Sequence, residues 1–217
     1  QRCGGKYSRA VVVDLYDEMG RACVERLHGM FALAIWDHRK RKRVLSRGRL
    51  GVKPLYYAHG SDRITFGSEI KALLCDRSVG REVDLGAIDT LLRTGHISEP
   101  ETCFRGVTQL PPATTAVFCE GEVVLHRYWD LDFTTQTDYD EGEAAAELLT
   151  RLRSAVARRL VSDVPIGAFL SGGIDSSVVV ALMAQLIDRP VRTFSIGFDD
   201  PAFSELPFAR MVAERFG

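Results

Sequence analysis

The stretch VPIGAFLSGGIDSS, residues 164–177, decides how the carboxyl-terminal part of the chain folds. Val164 to Leu170 has strand length and is apolar on both faces, the pattern of a strand buried between layers. Ser176 to Ile187 reads as a helix and Val191 to Phe198 as a second buried strand, which makes one βαβ unit. The handedness rule for such crossovers makes the two strands parallel. It also puts the turn Ser171-Gly172-Gly173-Ile174-Asp175-Ser176-Ser177 at the sheet's carboxyl edge, where open α/β sheets bind ligands. Gly172 and Gly173 let the backbone approach a ligand with no Cβ in the way, and the helix that follows offers unpaired amides at the positive end of its dipole. A phosphate belongs at such a turn. Ser171 and Ser176 add hydroxyls, and Asp175 is placed to hold a magnesium ion, whose hard charge takes oxygen ligands and bridges phosphates. The loop has neither GxxxxGK[ST] nor a lysine, so it is not a Walker loop. The plain alternative is a glycine-softened turn before a helix capped by Ser171 or Asp175.

Upstream, the pattern from Glu143 is strongly helical. Leu149, Leu152, Val156 and Leu160 step along one face, with Arg151, Arg153, Arg158 and Arg159 on a solvated one. Residues 76–140 read as a bridging segment with a helix near Leu85 to Leu92, a Pro111-Pro112 break, and strands Thr114–Phe118 and Glu122–Leu125 around the Glu120-Gly121 turn. The first third is sheet-rich. Val11 to Met19 predicts a short helix, and GMFALAIW, residues 29–36, predicts a strand buried between layers. Arg43–Ser46, Leu55–Ala58 and Arg63–Phe66 follow as antiparallel hairpins, and Phe31, Trp36, Phe66 and Trp129 are expected in the core.

Composition narrows the class. The 217 residues are 46% apolar and 26% charged, with 28 basic against 29 acidic side chains, which excludes disorder and any global pull toward nucleic acid or anionic membrane. His38 to Arg43 is rich in basic residues, but with no interleaved aromatics it reads as a solvated hairpin tip. The five cysteines are odd in number and lack CxxC spacing, so neither a disulfide framework nor a zinc knuckle is expected, and a reducing cytoplasm fits best. The histidines show no metal spacing. No apolar run reaches the roughly 20 residues that span a bilayer. Because the sequence opens on Gln1 and stops at Gly217 within an alternating strand and helix pattern, it is expected to be an internal piece of a longer chain.

SGGIDSS after a buried strand resembles the pyrophosphate loop of the ATP pyrophosphatases (PP-loop enzymes). The wider VPIGAFLSGGIDSS, followed by TFSIGFDDPAF and ELPFARMVAERFG, closely resembles the synthetase domain of glutamine-hydrolysing asparagine synthetases. RLHGMFALAIWD, RLGVKPLYY and FGSEIKALL resemble, in order and spacing, the second half of the class II glutamine amidotransferase domain fused to them. The resemblance implies α+β followed by α/β. A partial Ntn-hydrolase-like sandwich of antiparallel sheets would occupy residues 1–75, a bridge residues 76–140, and the start of a parallel-sheet PP-loop domain residues 141–217. It also implies that the backbones of Leu170 and Ile196 hold the adenine nucleotide beside Ser171, Gly172, Gly173, Asp175 and Ser176.

The implied activity is ATP-dependent amidation of aspartate through β-aspartyl-AMP, with ATP and Mg2+ required and nitrogen from glutamine. A related amide ligase acting on another carboxylate, such as a β-lactam synthetase or an exopolysaccharide-associated enzyme, and a non-catalytic nucleotide-binding relative are the alternatives. Aspartate, glutamine and ATP are the expected partners, with no nucleic acid or membrane, and a homodimer is possible. The resemblance puts the nucleophilic cysteine well upstream, so Cys3, 26 residues before Gly29, is not expected to be catalytic. Ser8 stands where the family has an aspartate for the glutamine amine, and Arg47-Gly48-Arg49 replaces the family's Arg-Asp-Arg. Lys53 and Glu69 lie in family-like strings, with structural pairing and ligand contact both open. A second acidic, glycine-rich loop of the family lies beyond Gly217, so this polypeptide alone is expected not to ligate and to bind ATP weakly.

Overall fold

The structure, a computed structural model, describes residues 8–60, 63–200 and 202–216. Cys3 and the side chain of Ser8 lie outside the described residues. The chain divides into two compact units, the first Val12–Thr134 and the second the residues from Thr135 on, with which the described residues up to Val11 group.

α1 (Ser8–Met19) enters the first unit at Val12 and runs into a short 3-10 turn, and the hairpins follow as expected: β1 (Ala32–Asp37), β2 (Lys42–Arg47), β3 (Tyr56–His59) and β4 (Ile64–Gly67). After α2 (Ile70–Leu73) and α3 (Leu85–Thr94) come β5 (Val107–Gln109), β6 (Thr114–Cys119) and β7 (Glu122–Arg127). Asp84 begins α3 by accepting hydrogen bonds from the amides of Gly86 and Ala87, and Gly95 ends it at φ +79°, a left-handed conformation that glycine adopts without a Cβ penalty. One antiparallel sheet has the order β1-β2-β6-β7 and the other β4-β3-β5. Period-two alternation on β2 explains why both of its faces are buried. Leu45 points into a cluster with Leu55, Tyr57, Leu110, Ala116 and Phe118, so the two sheets meet there, while Val44 points the other way onto Tyr16, Cys23 and Val24. Tyr57 and Phe118 meet edge to face at 5.6 Å across the sheet interface. Leu73, Val79 and Val107 form a third cluster.

Residues 76–140, expected to bridge, contribute three strands to these sheets, with β6 between β2 and β7 and β5 against β3. The expectation for β1 is corrected. Among the described residues it is an edge strand paired only with β2, and Trp36 is 51% exposed, its ring covered by the Arg43 guanidinium at 4.9 Å. Phe66, also expected in the core, is 44% exposed. β1 and β4 are both edge strands of their sheets, and an apolar letter does not record whether a second layer covers its side chain. Phe31 does pack against the Val24 and Val44 cluster.

The second unit opens with α4 (Glu141–Arg159), started by a full capping box in which Asp140 accepts from the Glu143 amide at 2.8 Å and Glu143 from the Asp140 amide at 3.2 Å. Val156 is buried with Leu182 and Met183, and Leu152 and Leu160 lean on them. β8 (Gly167–Phe169), α5 (Ile174–Leu186), β9 (Arg192–Phe194) and α6 (Leu206–Phe216) complete the described unit. β8 and β9 pair in parallel, with Ala168 opposite Thr193. They are shorter than expected, and the expectation of two buried strands is corrected: Phe169 is 80% and Phe194 58% exposed. Ala168 and Val191 pack toward α4 and α5, whereas the alternate residues of both strands face out, with the Phe194 ring against Gly167.

Candidate functional site

The turn after β8 is short because Gly172 takes φ +86°, which other residues rarely adopt, and because it lies hard against the first turn of α6. A Cβ on Gly172 would come within 2.5 Å of the Phe208 backbone. Gly173 is the residue before α5, and no side chain caps that helix, so the expected alternative of a cap by Ser171 or Asp175 does not form.

The loop's hydrogen bonds are few and local. Gly173 donates its amide to Ser171 Oγ at 3.2 Å, the Ser171 amide points to Ser176 Oγ at 3.3 Å, and the two hydroxyls lie 3.0 Å apart. Ser177 donates to the Gly173 carbonyl at 2.7 Å. Among the described residues, the amides of Gly172, Ile174, Asp175 and Ser176 take no partner, the last three being the free amides that open any α-helix. The end of a helix dipole and unpaired donors so close together suit an anion.

Leu170, Ser171, Ser176 and Ile196 are brought together around a cleft of about 350 Å³ that Phe198 and Glu205 also line. Asp175 is not in that group. It stands in the first turn of α5 and borders a separate, mostly apolar hollow of about 540 Å³ with Phe169, Val156 and Met183, which Ser176 also touches. No group of three His, Cys, Asp or Glu that could hold a metal exists among the described residues. One exposed carboxylate makes no cage of protein ligands, and only a magnesium ion that took most of its oxygens from substrate and water would fit at Asp175.

Sequence reading passed over Ser195. Its hydroxyl donates to the Leu170 carbonyl at 2.6 Å, and a serine inside an apolar strand was the available signal, since a hydroxyl there needs a partner.

In the first unit, Arg47 is not free to meet a ligand. Its guanidinium donates to the carbonyls of Lys53 at 2.9 Å and Leu110 at 2.7 Å and pairs with Glu99 at 2.9 Å, clipping the turn after β2 to the segments on either side of β5. Gly48 donates to the Phe31 carbonyl at 2.9 Å, and a Cβ there would sit 3.3 Å from that oxygen. Arg49 reaches the Glu25 carbonyl at 3.0 Å and lies over the Trp129 ring. Glu69 pairs with Lys71 in the open at 2.6 Å.

Residues 5–129 match the glutamine amidotransferase domain family and residues 147–217 the asparagine synthase family. The chain is similar to asparagine synthetase [glutamine-hydrolyzing] 3 of Bacillus subtilis, 34% identical over 88% of this chain and 32% of that protein. It is similar to a putative asparagine synthetase [glutamine-hydrolyzing] 2 of Methanocaldococcus jannaschii, 34% identical over 95% of this chain and 41% of that one. A putative asparagine synthetase [glutamine-hydrolyzing] of Mycobacterium tuberculosis is 35% identical over 93% and 32% respectively. The chain thus spans about a third of the length of these relatives.

Proposed function

The chain belongs to the glutamine amidotransferase domain family, with an asparagine synthase segment after it, and from that premise we propose that it is part of a glutamine-dependent asparagine synthetase. Residues 1–75 and the strands of 76–140 serve the amidotransferase part, and residues 141–217 open a PP-loop ATP pyrophosphatase domain. The observation that carries the reading is the row of unpartnered amides at Gly172, Ile174, Asp175 and Ser176 at the mouth of the β8–α5 turn.

A carboxylate resists amidation because oxide is a very poor leaving group. In the proposed reaction an oxygen of the aspartate β-carboxylate attacks the α-phosphorus of ATP, the bond from that phosphorus to the bridging oxygen breaks, and pyrophosphate departs. Ammonia from glutamine then attacks the β-aspartyl-AMP carbonyl, AMP leaves with the bonding pair, and a proton is lost to give asparagine. The free amides of the turn and the Ser171 and Ser176 hydroxyls hold the departing pyrophosphate, whose charge grows as the bond breaks. Leu170 and Ile196, which line a cleft with Ser171 and Ser176, would take the nucleoside. Asp175 would hold a magnesium ion, whose positive charge would offset that of the departing pyrophosphate. A cytoplasmic homodimer is part of the same proposal.

The test is aspartate-dependent exchange of labelled pyrophosphate into ATP by the full-length protein. Exchange that requires aspartate is expected. Exchange supported only by a different carboxylic acid, or none with any acid, contradicts the proposal.

A further inference from the structure

We infer that Ser195 is a positioning residue of the nucleotide cleft, and that its hydroxyl keeps the backbone of Ile196 free to read the edge of an adenine base. The inference rests on the nucleotide reading above. It begins with the β8–β9 ladder. In a parallel pair each residue of one strand donates to one residue of its neighbour and accepts from the residue two further on. Leu170 donates its amide to the Phe194 carbonyl at 2.9 Å, so the next rung would bring the Ile196 amide to the Leu170 carbonyl. That rung is missing. Ser195 Oγ occupies the Leu170 carbonyl instead, at 2.6 Å, and β9 ends at Phe194.

Two consequences follow. The Leu170 carbonyl, at the buried base of the cleft, is satisfied without Ile196. The Ile196 amide and carbonyl therefore take no partner among the described residues, and Ile196 is 71% exposed on the cleft wall with Ser171 and Phe198. A free donor and a free acceptor on one residue complement a ring edge carrying an acceptor nitrogen beside an amine. Adenine has that edge, with N1 accepting and the N6 amine donating, while a base with a carbonyl at position six and a protonated N1 has the reverse. A mismatched base would leave both backbone groups unpaired, and desolvated polar groups without partners discriminate strongly.

The experiment measures aspartate-dependent pyrophosphate exchange by the full-length protein with ATP and with inosine triphosphate, which presents the reversed edge. The wild type is expected to prefer ATP through KM. Ser195→Ala removes the competing donor, so the ladder closes and the Ile196 amide is drawn to Leu170. The KM for ATP then rises about tenfold, the turnover number stays within twofold, and the preference for ATP over inosine triphosphate narrows by a similar factor. Ser195→Thr keeps the hydroxyl and restores the wild-type preference. Ser195→Cys, with a weak donor, narrows the preference part-way and serves if the alanine variant does not fold. If the wild type exchanges nothing, the function proposed above fails and takes this inference with it. If the wild type exchanges normally and the Ser195 variants keep its base preference, or lose turnover while keeping KM, the inference alone is overturned.

Discussion

The two units of the chain treat their strands in opposite ways. In Val12–Thr134 two antiparallel sheets close on one another, and Leu45, Leu110 and Ala116 at their junction have no exposed surface. From Thr135 onward a two-stranded parallel ladder is covered on one face, and Phe169 and Phe194 stand open on the other. Parallel sheets occur almost only with both faces covered, and the described residues from 135 on supply one cover, from α4 and α5, in a chain that spans about a third of its relatives' length. The difference teaches where stability and function separate. The first unit is held by its interior, whereas the second keeps its most reactive geometry at the end of a short ladder.

The largest way to test that contrast is a matched pair of truncations. Leu45→Ala should lower the unfolding free energy by about 3 kcal/mol, the usual cost of a cavity in a packed core, while Phe169→Ala should change it by less than about 0.5 kcal/mol. Urea denaturation followed by tryptophan fluorescence distinguishes them, and similar losses for both would show that the Phe169 face is covered in solution.

A smaller effect separates two left-handed glycines. Gly20→Ala meets nothing within 4 Å and should cost about 1 kcal/mol for its backbone alone. Gly172→Ala adds a clash with the Phe208 backbone and should cost about 2 kcal/mol, with loss of hydrogen-exchange protection in α6. Equal costs would mean that the turn and α6 do not press on each other.

The smallest is a pH effect confined to the first unit. Asp76 accepts from the Ser78 amide at 2.9 Å, from Ser78 Oγ at 2.7 Å and from Thr65 Oγ1 at 2.9 Å, and these donors, the Ser78 amide first, bring its carboxyl down to about 2. A carboxyl with a lowered folded-state pKa contributes stability above its unfolded value near 4 and loses it as pH falls toward 2. Acid titration of thermal stability should show that limb in the wild type, and Asp76→Asn should flatten it. An identical limb in the variant would assign the effect elsewhere.

Much of this was legible in the sequence, for physical reasons that differ by region. The hairpins β3–β4 and β6–β7 announce themselves through turn residues, His59-Gly60 and Glu120-Gly121, and α4 through its capping box. The β8–α5 turn was legible because glycines, serines and an acid in that order have few other uses. What could not be read is which strands are edges. GMFALAIW is apolar at every position, yet β1 has one neighbour, because strand order is fixed by contacts far along the chain, such as Leu45 with Ala116. The same non-local pairing hid the place of β5–β7 in the sheets. Arg47 was read as part of a changed motif, but its partners Leu110 and Glu99 lie more than fifty residues away in sequence. Ser195 was missed because its partner is a backbone carbonyl, which no residue letter records.

The central claim is that the bend after β8 receives the pyrophosphate of a nucleotide, and amide NMR of the full-length protein titrated with pyrophosphate and magnesium tests it most directly. The amides of Gly172, Ile174, Asp175 and Ser176, which lack partners, should shift strongly and saturably, while Ser171 and Gly173, already bonded within the loop, should shift less. Saturation with those four resonances unmoved, or shifts confined to the first unit, would contradict the account.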